Sequence, residues 1–340
     1  IPDAKVTLSH NFGRLGLMER ENAAILNTTL LPFAEKVISS FLKALTNRGL
    51  TCPVYISQND GTLMSADFVS AYPALTFASG PTNSLRGAYK LTGLKDAIVV
   101  DIGGTTSDIG VLQGGFPRES NTVIEIGGVR TNFRMPDILA IGLGGGSVVS
   151  DDGRVIGPKS VGHRLVDEGL VFGGNTLTTT DIIVASGVAD IGDSSKVAHL
   201  EQSVVENTLA RMHQMLDQNI EMMKPGGKAM PVILVGGGSV LVTGDLQAAS
   251  KIYRPENAGV ANAIGAAIAQ IGGESERLMS YREVPRDEAI AKVTQVATER
   301  AVKAGADFAT IRTVDIEETT VPYMDESTTR VRVKVIGEIA

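Results

Sequence analysis

The segment Val99 to Leu112, VVDIGGTTSDIGVL, constrains this chain more than any other stretch. Apolar residues lead up to Asp101 and resume at Ile109 and Val111, so it reads as a buried strand, a glycine turn and a second strand. Gly103 and Gly104 admit backbone angles closed to other residues and leave room for a ligand to approach the main chain. Thr105, Thr106 and Ser107 add hydroxyls, and Asp101 and Asp108 place a carboxylate at each end. Consecutive turn amides form an anion-binding concavity, yet two neighbouring carboxylates would repel a bare phosphate. A hard cation such as magnesium reconciles them, because it keeps several waters and bridges carboxylates to phosphates. A tight β-hairpin with a polar turn uses the same residues, and this stretch alone leaves both readings open.

At 340 residues, two or three domains are expected. A formal net charge of −7 with no basic cluster argues against a nucleic-acid surface. The single cysteine, Cys52, leaves no internal disulfide and no cysteine zinc site, which fits a reducing, cytoplasmic setting. Cys52 itself, beside Pro53 and ahead of an apolar strand, reads as a buried small residue. No apolar run reaches the ~20 residues of a membrane helix, so no membrane partner is expected. Ile1 to Leu8 reads as the middle of a strand, followed by a glycine turn with His10 and Gly13, so a missing upstream piece or a second chain is expected.

Glu21 to Asn47 has helical periodicity, with Pro32 predicting a break or kink near Leu31. A second helix, Thr82 to Leu91, leads into the central strand. In ILAIGLGGGSVV, Gly142, Gly144, Gly145, Gly146 and Ser147 follow an apolar run. This is not the dinucleotide fingerprint, which would need glycine where Ser147 stands and a helix after it. It is either a close backbone approach to a ligand or a plain glycine-rich hairpin. Thr178 to Asp181 caps a helix beginning at Ile182, and Val197 to Met223 is the longest helical signal. PVILVGGGSVL, from Pro231, is a buried strand running into Gly236, Gly237, Gly238 and Ser239. Gly259 to Ile271 is a small-residue helix able to pack closely. Beyond Gly273, a helix over Arg286 to Lys303 and strands over Thr310 to Glu317 and Arg330 to Ile336 predict a small α/β unit.

No GxxxxGK[ST] loop, HExxH pair or GxSxG elbow is present, and the four histidines share no ligand-like spacing. What remains is two glycine turns, Asp101-Ile-Gly-Gly-Thr and Val235-Gly-Gly-Gly-Ser, each after a strand, with the small-residue helix behind the second. This order resembles the second half of the actin-like ATPase fold of actin, sugar kinases and heat-shock chaperone ATPases. The resemblance implies that Asp101, Gly103, Gly104, Thr105 and Asp108 belong to a hairpin gripping nucleotide phosphates. It also implies that Gly236, Gly237, Gly238 and Ser239 lie against the adenosine. No polar sugar-binding cluster accompanies the hairpin, which counts against a sugar kinase.

A narrower resemblance covers nearly the whole chain. Glu19-Arg20-Glu21-Asn22 with Asn27, Ser79-Gly80-Pro81, Asp101 to Asp108, Gly142 to Ser147, Ile156-Gly157-Pro158, Thr180-Asp181 and the final VRVKVIGEI are similar to the hydantoinase A / 5-oxoprolinase family, related to acetone and acetophenone carboxylase subunits. The implied fold is α/β and actin-like (ribonuclease H-like), with mixed sheets flanked by helices and a small C-terminal α/β unit. The implied domains are 1–94 (the remainder of the first actin-like domain and a connecting helix), 95–272 (the second, nucleotide-binding domain) and 273–340. The implied activity is ATP-dependent opening of a cyclic amide of hydantoin or 5-oxoproline type, through activation of a carbonyl oxygen. The alternatives are the nucleotide-binding subunit of an ATP-dependent carboxylase and a regulatory or assembly subunit without turnover.

The implied cofactors are ATP and Mg2+. Asp101 and Asp108 would be the catalytic carboxylates and metal ligands, Asp101 through water and Asp108 orienting a water or the attacking oxygen. The amides of Gly103 to Thr106 would meet phosphate oxygens, and Gly144 to Ser147 would face phosphates or substrate. Members of the family carry another D-x-G-G-T loop upstream of Ile1, which is absent here, so the chain alone is expected to need an upstream domain or second subunit. The stretch Val161 to Gly174 also lacks the cysteine- and proline-containing pattern of hydantoinases.

Overall fold

The computed structural model describes residues 4–9, 16–120, 124–132, 135–321 and 328–340. The chain divides into two compact units, one of residues 80–119 and 136–268, the other of residues 1–79, 120–135 and 269–340.

The first of these is built on one mixed sheet. Strand Ala97–Ile102 pairs antiparallel with Ser107–Gln113, which pairs antiparallel with Ile138–Ile141 and with the short strand Phe116–Pro117. On the other side Ala97–Ile102 runs parallel to Met230–Val235, itself parallel to Ala249–Tyr253. An antiparallel meander extended by two parallel strands is the ribonuclease H-like core of the actin-like fold. Both faces of the central strands are covered. Ile98, Val100, Val232 and Leu234 pack with Met212, Leu216 and Ile220 of helix Gln202–Met223 and with Ile182 and Ile183 of helix Thr179–Ala185. Val99, Ile233 and Val235 pack with Leu85 and Ala88 of helix Ser79–Thr92 and with Ala261. Burial on both sides is why AIVV and VILV run apolar without alternation.

The small-residue helix is shorter than expected, Ala261–Ala267, after a 3₁₀ turn at Ala258–Val260, and Ile271 instead opens a strand. Its close packing holds: a methyl on Gly265 would stand 1.8 Å from the Asn83 carbonyl oxygen, and one on Gly87 1.9 Å from that of Ala261. The helical signal from Val197, expected to be the longest, resolves into a 3₁₀ turn, Ser194–Val197, and helix Gln202–Met223 of 22 residues, shorter than the 30 residues of helix Met18–Asn47.

The second unit has a five-stranded sheet in the order Tyr55–Ser57, Leu63–Ser65, Ile271–Ser280, Thr328–Gly337, Arg312–Thr320. Residues 273–340 thus share a sheet with strands from the first 79 residues, through the parallel pairing of Leu63 with Ile271. Helix Arg286–Lys303 covers one face, setting Val293, Ala297 and Ala301 on Val331, Val333 and Val335. The other face carries Arg332, ion-paired with Asp315 at 2.9 Å and with Glu274 and Glu317 at 3.3 Å, and Lys334, 2.7 Å from Asp60. Burial alone would raise the Asp60 carboxyl, but Lys334 and the Thr62 hydroxyl and N–H hold it below the ordinary carboxylate value.

Helix Met18–Asn47 runs on through Pro32, which sits on its exposed side, so of the expected break or kink near Leu31 the break does not occur. Asn27 is fully buried and pins the helix, donating to the Ala71 carbonyl at 2.9 Å and accepting the Ala74 N–H at 3.1 Å. Residues 4–8 form no strand, and the turn with His10 and Gly13 lies outside the described residues. Cys52 is exposed rather than buried, because it precedes the strand in a surface loop.

Candidate functional site

Across the hairpin Asp101 stands opposite Asp108, and Ile102 opposite Ser107. The Gly103 N–H donates to the Thr106 carbonyl at 2.9 Å and closes the turn. The N–H groups of Gly104, Thr105 and Thr106 have no acceptor among the described residues, and all three residues are exposed. A Cβ on Gly104 would meet nothing within 4 Å. The turn therefore presents open donors to solvent.

The two other glycine loops converge on this turn. In Gly144 to Ser147 every N–H is committed within the protein. Gly145 donates to the Gly103 carbonyl at 3.0 Å, Gly146 to that of Gly104 at 2.7 Å, and Ser147 to that of Gly144 at 3.0 Å. The Gly144 N–H donates to the Ser147 hydroxyl at 2.9 Å, and that hydroxyl lies 3.3 Å from the Gly142 carbonyl. The loop is buried and leaves no amide for a ligand; it braces the Gly103 to Thr106 turn from behind. A methyl on Gly144 would lie 2.5 Å from the Thr105 nitrogen, so only glycine permits this approach.

On the other side, a methyl on Gly238 would fall 2.9 Å from the Gly103 carbonyl oxygen and one on Gly236 2.3 Å from Asp101 Oδ1. The Gly236 N–H donates to Ala258 and the Ser239 N–H to Gly236. Gly237 is exposed at the crest.

Sequence reasoning missed the support beneath the brace. The Thr179 hydroxyl donates to the carbonyls of Gly144 (2.5 Å) and Gly145 (2.9 Å), and the Thr180 hydroxyl to Gly145 at 2.7 Å. Asp181, fully buried, accepts the N–H and hydroxyl of Thr178 at 2.7 Å and the Val171 N–H at 2.8 Å, completing a capping box. The cap was legible at Thr178 to Asp181; its attachment to a loop more than 30 residues earlier was not.

Neither Asp101 nor Asp108 accepts a hydrogen bond or meets a cation among the described residues. Burial first, and then the charge of Asp101, pushes the Asp108 carboxyl up to about 6. A bound divalent cation would relieve that repulsion, and the donor set suits magnesium, which takes one or two carboxylates and fills its remaining positions with water and phosphate. No group of three or more His, Cys, Asp or Glu side chains forms a metal cage among the described residues. No helix among them is long and apolar enough to cross a membrane.

Over 191 residues the chain is 28% identical to the acetophenone carboxylase gamma subunit of Aromatoleum aromaticum, a match covering 54% of this chain and 26% of that subunit. Over 197 residues it is 26% identical to the caprolactamase subunit alpha of Pseudomonas jessenii, covering 55% of this chain and 28% of that one. The crystal structure of that ATP-dependent caprolactamase shares the fold, with a TM-score of 0.74 at 15% identity over 98% of this chain and 60% of its own. A nucleotide-free structure of an acetone carboxylase with ATP-dependent activity does so with a TM-score of 0.68 at 17% identity, over 97% of this chain and 59% of that chain. The chain thus corresponds to little more than a quarter of the curated relatives it matches. A model of hydantoinase/oxoprolinase sequences matches residues 20–222, a span that includes the hairpin, its brace and the capping box. With more than half of its length under that match, the chain belongs to the hydantoinase/oxoprolinase family.

Proposed function

We propose that the unit of residues 80–119 and 136–268 binds the phosphates of ATP at the Gly103 to Thr106 turn, in an enzyme that opens a cyclic amide of hydantoin or 5-oxoproline type. The observation that carries this reading is the row of open N–H groups on Gly104, Thr105 and Thr106 beside two carboxylates that meet no cationic side chain among the described residues. Magnesium, when bound, supplies the positive charge that lets phosphate and carboxylates share one site. Asp101 and Asp108 would hold it. The turn amides would orient the phosphates and stabilise charge developing on their oxygens. Gly144 to Ser147 keep the turn rigid, and Gly236 to Ser239 form the neighbouring wall for the nucleoside. Phosphoryl transfer to a carbonyl oxygen makes an amide carbon easier to attack, which is how nucleotide use would assist ring opening.

A second reading has a specific support: the curated relatives are described as subunits, one of them of a carboxylase. In that reading the same nucleotide site serves ATP-dependent carboxylation, or the chain binds nucleotide for a partner subunit. The first test is a thermal-shift titration with magnesium and ATP on wild type and Asp101→Ala. Binding to the folded state raises stability by RT ln(1 + [L]/Kd), so a weak site registers at millimolar nucleotide. A magnesium-dependent rise absent from Asp101→Ala supports the site, whereas an equal rise in both removes it. Phosphate release stimulated by 5-oxoproline or a hydantoin then favours amide opening. Release stimulated by a ketone with bicarbonate favours carboxylation, and release with none of them favours a binding subunit.

A further inference from the structure

We infer that segment Ser160 to Arg164 forms a second wall of the turn and that His163 donates a hydrogen bond to the terminal phosphate of the bound nucleotide; this rests on the turn being a phosphate site. The Val161 N–H donates to the Gly146 carbonyl at 2.9 Å, and Gly146 itself donates to Gly104 at 2.7 Å, so one residue ties the segment to the turn. A methyl on Gly162 would stand 3.8 Å from the Thr105 hydroxyl. Gly162 holds a left-handed φ of +56°, and its N–H donates to the Ser160 hydroxyl at 3.1 Å. The backbone is thereby folded against the Thr105 side of the turn.

The Gly236 to Ser239 loop touches Asp101, Ile102 and Gly103 instead. If the nucleoside lies at that loop, the far end of a triphosphate reaches Thr105 and Gly162. Three side chains of the segment could donate to it, with Lys159 just before. Ser160 already serves Gly162, and Lys159 precedes the Ser160 to Gly162 contact that folds the backbone against the turn. Arg164 is paired with Glu168 at 2.7 Å. His163 is exposed, has no partner among the described residues, and keeps a ring N–H donor in either protonation state. It adds a side-chain donor alongside the open amides of the turn.

The test compares Mg-ATP with Mg-ADP in thermal-shift titrations of wild type, His163→Ala, His163→Gln and Asp101→Ala. His163→Ala should raise the apparent Kd for Mg-ATP about tenfold, the worth of one hydrogen bond to a charged group, and leave Mg-ADP unchanged. Its melting temperature without nucleotide should equal that of wild type, since the side chain is exposed. His163→Gln, which keeps a side-chain N–H, should fall between the two. Unchanged Mg-ATP affinity, or equal weakening of Mg-ATP and Mg-ADP, overturns the role of His163 while the Asp101-dependent response upholds the phosphate site. Absence of any nucleotide response in wild type overturns both.

Discussion

A methyl group on Gly236 would lie 2.3 Å from Oδ1 of Asp101, closer than any real carbon approaches a carboxylate oxygen. The end of one parallel strand is therefore moulded around the acidic side chain at the end of its neighbour. Val235 pairs with Asp101 in the sheet, and the chain must turn at Gly236 with φ +85°. The candidate carboxylate is held by shape rather than by hydrogen bonds.

Gly236→Ala should accordingly cost about 2 kcal/mol or more, from overpacking plus an unfavourable φ, and should abolish the magnesium-dependent nucleotide response. Gly237→Ala is the control. It is exposed, a Cβ there meets nothing within 4 Å, and its effect should stay within about 0.5 kcal/mol. Melting temperatures of the two variants check both expectations.

The Asp108 carboxyl, pushed up to about 6, makes the metal-free chain lose stability as pH rises from the unfolded value near 4 through about 6. Below that window both states hold the proton and the full stability is present; within it the folded state keeps a proton the unfolded chain has lost, and above it the buried charged pair remains as a cost. Asp108→Asn should remove this slope, so the variant should be the more stable protein at pH 7 and lose that advantage near pH 4. Chemical denaturation at both pH values with a chelator present tests the sign.

Asp181→Ala should destabilise the chain by about 3 kcal/mol, because it strips three hydrogen bonds from a fully buried helix cap. It should also weaken nucleotide binding without touching the turn, since Thr179 and Thr180 on that helix hold the brace. A variant that loses stability but keeps wild-type nucleotide affinity would show that the brace does not depend on the cap.

In the other unit, Lys334→Met leaves Asp60 buried without its cation and should cost about 3–5 kcal/mol at neutral pH. The Asp60 carboxyl is held low in the folded chain, so its contribution is present above the unfolded carboxylate value and lost as pH falls through the folded one. Lys334→Met should therefore lie closest to wild type in acid, a point that urea unfolding at pH 3 and pH 7 would settle.

The amino-acid sequence determined the local elements of the site by itself. An apolar run into DIGGTTSD can end only in a strand and a glycine turn, and TTTD ahead of IIVA can only cap a helix, because propensity and capping act within a few residues. The same runs marked the double-faced burial of the central strands. Tertiary structure alone decided which glycines offer amides and which are occupied. Gly104 and Gly145 look alike in sequence, yet the first has an open N–H and the second donates to Gly103. It also placed Leu63 beside Ile271, and Gly162 beside Thr105. Hydrogen-bond partners and backbone approaches between residues 42 to 208 positions apart follow from how elements pack in three dimensions, which local periodicity does not encode.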